Sequence, residues 1–192
     1  MLSVFFKDSI PFYAFYLITI FWILEFIYFP SKNKSSKKIE KKTFFRILFS
    51  ILFTIFMNIL MLLLSFGSFF NPLYLQIISL ILYFFGLCLR LSSLFFLGSN
   101  FSRNLSINEN QKLVSNGPFR YLRHPSYLGL YLLTICVPLF FGNLILFIFA
   151  LIYMFYAIKK RIEIEEMLLE KMFGHGYIVW KKKRFIFIPF IY

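Results

Sequence analysis

The segment GPFRYLRHPSYLG, residues 117–129, places two arginines and His124 between two long apolar segments of the chain. Cations this close to hydrocarbon are costly unless they lie at the membrane interface or face a polar pocket, which makes them candidates for function. Pro125 biases the residue before it away from the helical conformation and suits the first turn of the helix that follows. The segment therefore predicts a bend that holds His124 and Tyr127 at the beginning of a helix.

The composition indicates a membrane protein rather than a soluble one. Of the 192 residues, 60% are hydrophobic, whereas a soluble domain has about 45–50% apolar residues. The net charge of +13 lies in blocks between apolar runs, which suits anionic lipid headgroups better than nucleic acid. Cys88 and Cys136 both lie in apolar runs, and we interpret them as buried thiols rather than as metal ligands.

Five apolar segments predict membrane-spanning helices. The first three are close to the roughly 20 residues needed to cross the hydrocarbon core, and the last two are shorter. Gly142 and Asn143 separate the last two segments, which we interpret as a short helical hairpin. The predicted fold is an all-α integral membrane protein with about five transmembrane helices, at residues 11–29, 44–66, 73–97, 126–141 and 143–158.

Lysine and arginine are concentrated in three segments that this topology places on one side of the membrane: 30–43, 98–124 and the tail after residue 158. The turns at 67–72 and 142–143 contain neither residue and fall on the other side. Because cytoplasmic loops carry the excess of positive charge, the three basic segments are predicted to be cytoplasmic. The small size of the chain and its bias toward Lys, Ile, Asn and Phe favour a prokaryotic cell or inner membrane.

The tail has the pattern of an amphipathic helix. Arg161, Glu165, Leu168 and Met172 recur at spacings of three and four residues and therefore share one helix face. Gly174 is placed to end this helix. Taken alone, the pattern predicts a cytoplasmic amphipathic C-terminal helix on the membrane surface, with Arg161 and Glu165 as a weak ion pair.

Two charged residues interrupt the first and third spans. Glu25 is about one turn from the basic segment 30–43, so we expect it to reach the interface or to pair with a lysine there rather than to perform chemistry. Arg90 is about two turns from the end of its span, and we expect it to extend to the interface or to face the polar junction.

Several motifs follow one another through the second half of the chain. They are GSNF (98–101), KLVSNGPFRYLRHPSYLG (112–129), Arg161 with Glu165, Glu166 and Leu168, then Phe173, Gly174 and Tyr177, and finally Ile188 and Pro189. In this order they resemble the isoprenylcysteine carboxyl methyltransferase family, whereas the first two spans share only their apolar character with it. We accordingly divide one continuous domain into an N-terminal membrane scaffold of three spans, residues 1–97, and a methyltransferase-like region, residues 98–192.

Members of that family are integral membrane enzymes that transfer a methyl group from S-adenosylmethionine to a lipophilic acceptor. The resemblance implies that Arg161 is a catalytic residue that binds the acceptor, and that Glu165 is a catalytic and cofactor-binding acid. The chain departs from the family at Phe119 and Trp180, where tyrosine is common, and in a slightly shorter segment 102–110. The implied cofactor-binding residues are Gln111, Lys112, Leu113, Val114, Phe119, Arg123, His124, Pro125, Ser126, Tyr127 and Glu165.

The charges of these residues suit the cofactor, which carries a sulfonium, a carboxylate and an ammonium group. Arg123 or His124 can bind the carboxylate, and Glu165 the ammonium or a ribose hydroxyl, by charge-assisted hydrogen bonds. A carboxylate or thiolate acceptor is already ionised, so its methylation requires positioning and desolvation rather than a general base. An amine acceptor requires a proton acceptor, for which Glu165 or Glu166 is the nearest candidate.

Three alternative functions share parts of this pattern. Phospholipid N-methyltransferases also carry an RHP segment and a pair of glutamates, and membrane sterol-type reductases have a related segment but use NADPH. A small structural membrane protein explains each residue singly but not the ordered set. The predicted partners are a lipophilic or lipidated substrate and membrane lipids, and no nucleic acid.

Overall fold

The computed structural model describes residues 10–29, 38–64, 72–101 and 112–187. In these ranges the chain forms helices and short turns but no β-strand, so the prediction of an all-α protein is confirmed. We number the helices in chain order: α1 (Ile10–Tyr28), α2 (Lys38–Leu63), α3 (Leu73–Leu97), α4 (Pro125–Phe140), α5 (Leu144–Phe173) and α6 (His175–Lys182). Two 3₁₀ turns, Gly98–Asn100 and Gly117–Arg120, lie between α3 and α4.

Three helices are long and apolar enough to cross a membrane. They comprise Ile10–Tyr28, Lys41–Leu63 and Leu73–Leu97, with 19, 23 and 25 residues. Large apolar side chains such as Ile20 and Phe56 are exposed on these helices, where lipid tails can contact them. The three helices indicate an integral membrane protein, and the two further spans in the second half of the chain stay a prediction.

α4 and α5 form the short helical hairpin that the sequence predicts. The turn between them contains Gly142 at φ 74°, a left-handed conformation that favours glycine. Asn143 caps α5, because its side-chain oxygen accepts a hydrogen bond from the Leu146 N–H at 3.1 Å. α4 has 16 residues, and Pro138 lies within its last turn.

α5 runs without a break from Leu144 to Phe173, over 30 residues. The predicted separation into a fifth span ending at residue 158 and a distinct amphipathic C-terminal helix is therefore wrong. This segment contains neither glycine nor proline, so the basic residues beginning at Lys159 continue the apolar helix instead of interrupting it. Gly174, at φ 53°, ends α5 as predicted, and α6 follows directly.

α3 and α4 approach each other so closely that only glycine fits at two positions. A Cβ on Gly129 would lie 2.7 Å from the Gly86 carbonyl oxygen and 2.8 Å from the Arg90 backbone nitrogen. A Cβ on Gly86 would lie 2.9 Å from the Leu132 Cβ. Small residues permit this backbone contact between membrane helices. The contact fixes α4, which begins at the His-Pro bend, against α3.

Aromatic side chains join the helices in the interior. The Phe15 ring of α1 stacks on Phe140 of α4 and on Tyr83 of α3, with centroid separations of 4.4 and 5.1 Å. Cys136 of α4 is buried, as predicted. Cys88 is exposed, so its predicted burial is wrong, because it lies off the face of α3 that packs against the other helices.

Glu25 and Arg90 are both buried and pair with each other across α1 and α3. Arg90 Nη2 lies 2.9 Å from Glu25 Oε1, a partner that the sequence analysis did not predict for Glu25. Arg90 also donates a hydrogen bond to the Ser126 carbonyl at 3.1 Å. Arg90 therefore faces the first turn of α4 at the polar junction, which is one of its two expected positions.

Candidate active site

His124 and Tyr127 lie at the N-terminal end of α4, as the sequence predicts. His124 precedes the helix with φ −127° and ψ 55°, and Pro125 occupies the first helical position. The His124 carbonyl accepts hydrogen bonds from the Tyr127 and Leu128 N–H groups at 3.1 and 3.3 Å. The bend therefore fixes the positions of both side chains relative to the first turn of α4.

The chain after α6 is hydrogen-bonded along this bend. The Arg123 N–H donates to the Phe185 carbonyl at 2.8 Å, and the His124 N–H donates to the Ile186 carbonyl at 3.3 Å. The Phe185 N–H donates in turn to the Tyr121 carbonyl at 3.0 Å. This short parallel pairing holds the C-terminal end of the described chain against the base of the site.

The Arg123 side chain is hydrogen-bonded to the C-terminal end of α6. Its Nε donates to the backbone carbonyls of Lys181 and Arg184, each at 3.0 Å, and its Nη1 donates to Glu166 Oε1 at 3.2 Å. One guanidinium thus joins α5, α6 and the bend. The Arg123 side chain already makes three hydrogen bonds to the protein. Of the two residues predicted to bind the cofactor's carboxylate, His124 therefore has fewer protein partners.

Basic side chains converge on Glu166 of α5. His124 Nε2 lies 3.3 Å from Glu166 Oε1, and Lys181 Nζ lies 4.0 Å from Oε2, in addition to the Arg123 contact. Because an ionised carboxylate can only accept, His124 Nε2 carries a proton in this contact. Burial raises the pKa of Glu166, but hydrogen bonding to His124 and the charges of His124 and Arg123 outweigh burial and lower the pKa to about 2. Glu166 is therefore ionised at physiological pH.

A second group of contacts links Tyr127, Glu165 and Arg161. The Tyr127 hydroxyl donates to Glu165 Oε2 at 2.6 Å, and Arg161 Nε donates to the same hydroxyl oxygen at 3.4 Å. Arg161 Nη1 donates to the Thr43 hydroxyl at 3.1 Å, so α2 also reaches the site. His124 Nδ1 lies 3.9 Å from Glu165 Oε1, which brings this group next to Glu166.

These five residues, His124, Tyr127, Arg161, Glu165 and Glu166, form what we call the α4–α5 cluster. It extends from the interior to the accessible surface, since Arg161 is 2% exposed and the Glu165 side chain is 28% exposed. Two carboxylates occupy the accessible end, and a guanidinium lies inside. Such an arrangement can bind a cationic or zwitterionic molecule from the surface and an anion from the membrane side.

Three other predicted cofactor residues lie beside the cluster. Pro125 and Ser126 are buried in the first turn of α4, and Phe119 is buried in the 3₁₀ turn before the bend. The Phe119 carbonyl accepts a hydrogen bond from Arg184 Nε at 2.7 Å. The backbone of Phe119 is therefore held in place as well as its ring.

The segment Lys112–Val114 leads to this turn, with Lys112 exposed and the next two residues half-buried. It is tethered through Ser115, whose hydroxyl accepts a hydrogen bond from Trp180 Nε1 at 2.9 Å. The Arg184 guanidinium lies 4.3 Å from the centre of the Trp180 ring. The tryptophan that departs from the family pattern thus connects α6 with this segment.

Some positions named in the sequence analysis lie outside the described residues, namely 102–110, Gln111, Ile188 and Pro189.

Sequence reasoning missed several of these contributions. Glu166 was named there as part of the motif, but the only role predicted for it was that of a proton acceptor for an amine. Thr43 and Lys181 gave no signal, because their contacts depend on tertiary packing. Thr43, for example, is 118 residues from Arg161 in the sequence.

Comparison with protein families shows which proteins this chain resembles. The model of the isoprenylcysteine carboxyl methyltransferase (ICMT) family matches residues 77–171, from α3 to the last turn of α5. Over these residues the chain is similar to that family. The match includes the whole α4–α5 cluster, and the resemblance stated from the sequence is confirmed.

Curated relatives and a solved structure agree with this result. Human protein-S-isoprenylcysteine O-methyltransferase is 32% identical over 123 residues, which cover 62% of this chain and 42% of the human protein. The Saccharomyces cerevisiae enzyme of the same name is 40% identical over 82 residues, which cover 41% of this chain and 33% of the yeast protein. The chain therefore spans less than half of the length of these relatives.

The structure of the eukaryotic intramembrane Ras methyltransferase ICMT has the same fold as this chain. It superposes with a TM-score of 0.65 and 21% sequence identity, over 99% of this chain and 71% of the solved one. Because the similarity extends over nearly the whole chain, it includes the first two spans, for which the sequence gave only apolar character.

Proposed function

We propose that this chain is an S-adenosylmethionine-dependent methyltransferase that methylates a carboxylate on a lipophilic acceptor at the cytoplasmic face of a membrane. The observation that carries the proposal is the 2.6 Å hydrogen bond from Tyr127 to Glu165, with Arg161 against the same hydroxyl. The RHPSY motif and the helix with two glutamates, through which the chain resembles the family, thereby meet in one site. The family match over residues 77–171 supports the same class of reaction.

The α4–α5 cluster fits the charges of S-adenosylmethionine. Glu165 and Glu166 offer acceptors for an ammonium group or a ribose hydroxyl, and Nδ1 of His124 offers a donor for a carboxylate when both ring nitrogens carry a proton. Glu165 Oε1 lies 3.9 Å from His124 Nδ1, beyond hydrogen-bond distance, so it retains acceptor capacity for a ligand. When bound, the cofactor supplies an electrophilic methyl group, and the protein's own residues bind it, orient it and exclude water.

Arg161 is the residue that we assign to the acceptor's carboxylate. Its guanidinium is buried at the interior end of the cluster, where two of its nitrogens donate to the hydroxyls of Thr43 and Tyr127. A guanidinium binds a carboxylate in a forked geometry, through two parallel N–H donors. An ionised carboxylate needs no general base, and holding it in line while excluding water are the main contributions of the protein. A lipophilic tail can approach laterally between the apolar helices.

An isoprenylcysteine-type carboxylate is the acceptor that we favour, because the curated relatives are named protein-S-isoprenylcysteine O-methyltransferases. No relative named here favours a phospholipid amine, an NADPH-dependent reduction or a purely structural role. In this proposal residues 1–97 are the scaffold, and residues 98–192 carry the site within one continuous domain. The basic segments face the cytoplasm of a prokaryotic cell and contact anionic lipids.

Titration of the detergent-purified protein with S-adenosylhomocysteine tests the cofactor site. We expect saturable binding that is about fivefold or more weaker in both variants, because Tyr127→Phe removes a hydrogen bond to the Glu165 carboxylate and Glu165→Gln removes the charge of that carboxylate. Glu163→Gln is the matched control, since Glu163 lies on the same helix and pairs with the partly exposed Lys160 at 2.8 Å. Binding of NADPH instead of S-adenosylhomocysteine to folded wild type would contradict the proposal.

A further inference from the structure

A buried ion pair outside the α4–α5 cluster is connected to the helix that carries it. Glu25 and Arg90 are 1% and 6% exposed. They meet through two hydrogen bonds, from Arg90 Nη2 to Glu25 Oε1 at 2.9 Å and from Arg90 Nε to Glu25 Oε2 at 3.1 Å. This is the forked geometry in which arginine binds a carboxylate most strongly. Both residues lie in helices that are long and apolar enough to cross a membrane.

The third nitrogen of the same guanidinium reaches α4. Arg90 Nη1 donates to the Ser126 carbonyl at 3.1 Å, and Ser126 is the residue between Pro125 and Tyr127. One side chain thus connects α1 and α3 with the first turn of α4. That turn presents His124 and Tyr127 to α5.

The helix contact around this bond leaves little freedom. A Cβ on Gly129 would lie 2.8 Å from the Arg90 backbone nitrogen and 2.9 Å from the Arg90 Cβ. The base of the Arg90 side chain therefore lies directly against the α4 backbone, about one turn from Ser126. The position of the Arg90 Cβ is fixed by this contact. The hydrogen bond from the guanidinium to the Ser126 carbonyl therefore determines how the first turn of α4 is oriented.

Stability alone does not account for such a pair. Ionised groups are costly within a membrane, and replacing a buried ion pair by apolar residues of similar volume often leaves stability equal or higher. An apolar pair cannot donate a directed hydrogen bond to the Ser126 carbonyl. The property that only the ion pair supplies is therefore orientation of α4.

We propose that Glu25 and Arg90 form a positioning pair for the active site. Arg90 orients the first turn of α4, and Glu25 balances the charge of the guanidinium and holds it in this orientation. Neither residue touches the α4–α5 cluster; both act on it through Ser126. The consequence for cofactor binding rests on the proposed function, whereas the consequence for the first turn of α4 does not.

The test compares the paired replacement Glu25→Leu/Arg90→Leu with Tyr83→Phe. The paired replacement removes both charges together and so leaves no uncompensated ion in the bundle. Tyr83→Phe is the matched control, because the Tyr83 hydroxyl hydrogen-bonds Thr19 at 3.0 Å and also joins α1 to α3. That bond does not reach α4.

Three quantities are measured in detergent: the melting temperature, amide hydrogen exchange at residues 128–132, and the dissociation constant of S-adenosylhomocysteine. In the paired replacement we expect an almost unchanged melting temperature, about tenfold faster exchange and about fivefold weaker binding, because a charge-assisted hydrogen bond to the first turn is lost. Tyr83→Phe should change neither exchange nor binding. Unchanged exchange and binding in the paired replacement would overturn the proposal.

Arg90→Lys tests the positioning role if the paired replacement does not fold. It keeps a positive charge beside Glu25, but one ammonium cannot form the fork and also reach Ser126. Faster exchange at residues 128–132 with a retained melting temperature supports the proposal, and wild-type exchange overturns it. If folded wild type binds no S-adenosylhomocysteine, the proposed function fails and the exchange measurement alone decides the positioning role.

Discussion

Replacing Glu166 by glutamine removes the charge on which the basic side chains converge while keeping the size of the side chain. Arg123 and His124 contact Glu166 Oε1 at 3.2 and 3.3 Å. The pKa of about 2, against an ordinary value of 4.5, corresponds to roughly 3 kcal/mol in favour of the ionised form. The side chains of Glu166 and Arg123 are 16% and 15% exposed, so solvent screening reduces this value. We expect a loss of about 1–2 kcal/mol in the free energy of unfolding.

The dependence on pH gives this prediction a definite sign. The pKa of Glu166 is lower in the folded protein than in the unfolded chain, so its contribution is complete above pH 4.5 and is lost as the pH falls toward 2. Wild type and Glu166→Gln should therefore differ near neutral pH and converge in acid. Denaturant titration in detergent micelles, followed by the fluorescence of Trp22 and Trp180, measures both free energies of unfolding.

Glu163→Gln provides the control for this experiment. The side chains of Glu163 and Lys160 are 41% and 42% exposed, and such a surface pair contributes little to stability. The same chemical change on the same helix should therefore leave the free energy of unfolding unchanged. An equal loss in both variants, or a difference at Glu166 that persists in acid, would refute the reasoning.

Two further substitutions, with one control, test the packing of the helices. Gly129→Ala places a Cβ 2.7 Å from the Gly86 carbonyl oxygen, so we expect thermal unfolding to show a loss of about 1–3 kcal/mol. Gly176→Ala, where a Cβ meets nothing within 4 Å, should cost nothing, and equal losses would contradict this packing. Asn58 is buried, and its side-chain amide has no hydrogen-bond partner within the described part of the chain. A buried unpaired amide costs about 1–3 kcal/mol, so Asn58→Leu should retain or raise the melting temperature. A clearly lower melting temperature would contradict the conclusion that the Asn58 amide is destabilising.

The first three helices were predictable because length and apolar character are local properties of a sequence. Residues 73–97 form α3 as predicted, and α1 differs from the predicted 11–29 by one residue at each end. α2 begins at Lys38 instead of residue 44, because charge at the membrane interface ends the apolar run but not the helix. The same reason explains why α5 continues past residue 158.

The candidate site was predictable only where one residue acts on its neighbour. Pro125 acts directly on His124, so the bend before α4 could be predicted from the motif. The partners of Glu25 and Arg161 could not, because they lie 65 and 118 residues away along the chain. Such pairs depend on which helix faces meet, and hydrophobic periodicity does not specify this among several apolar helices.

Transfer of a labelled methyl group from S-adenosylmethionine to an S-prenylated cysteine with a free carboxylate tests the central claim most directly. The assay uses purified protein in lipid vesicles and compares wild type with Arg161→Ala. We predict that wild type forms a methyl ester, and that Arg161→Ala binds S-adenosylhomocysteine but transfers the methyl group about 100-fold or more slowly, as expected for loss of a positioned charged contact. Absence of ester formation by folded wild type, or undiminished transfer by Arg161→Ala, would contradict the account.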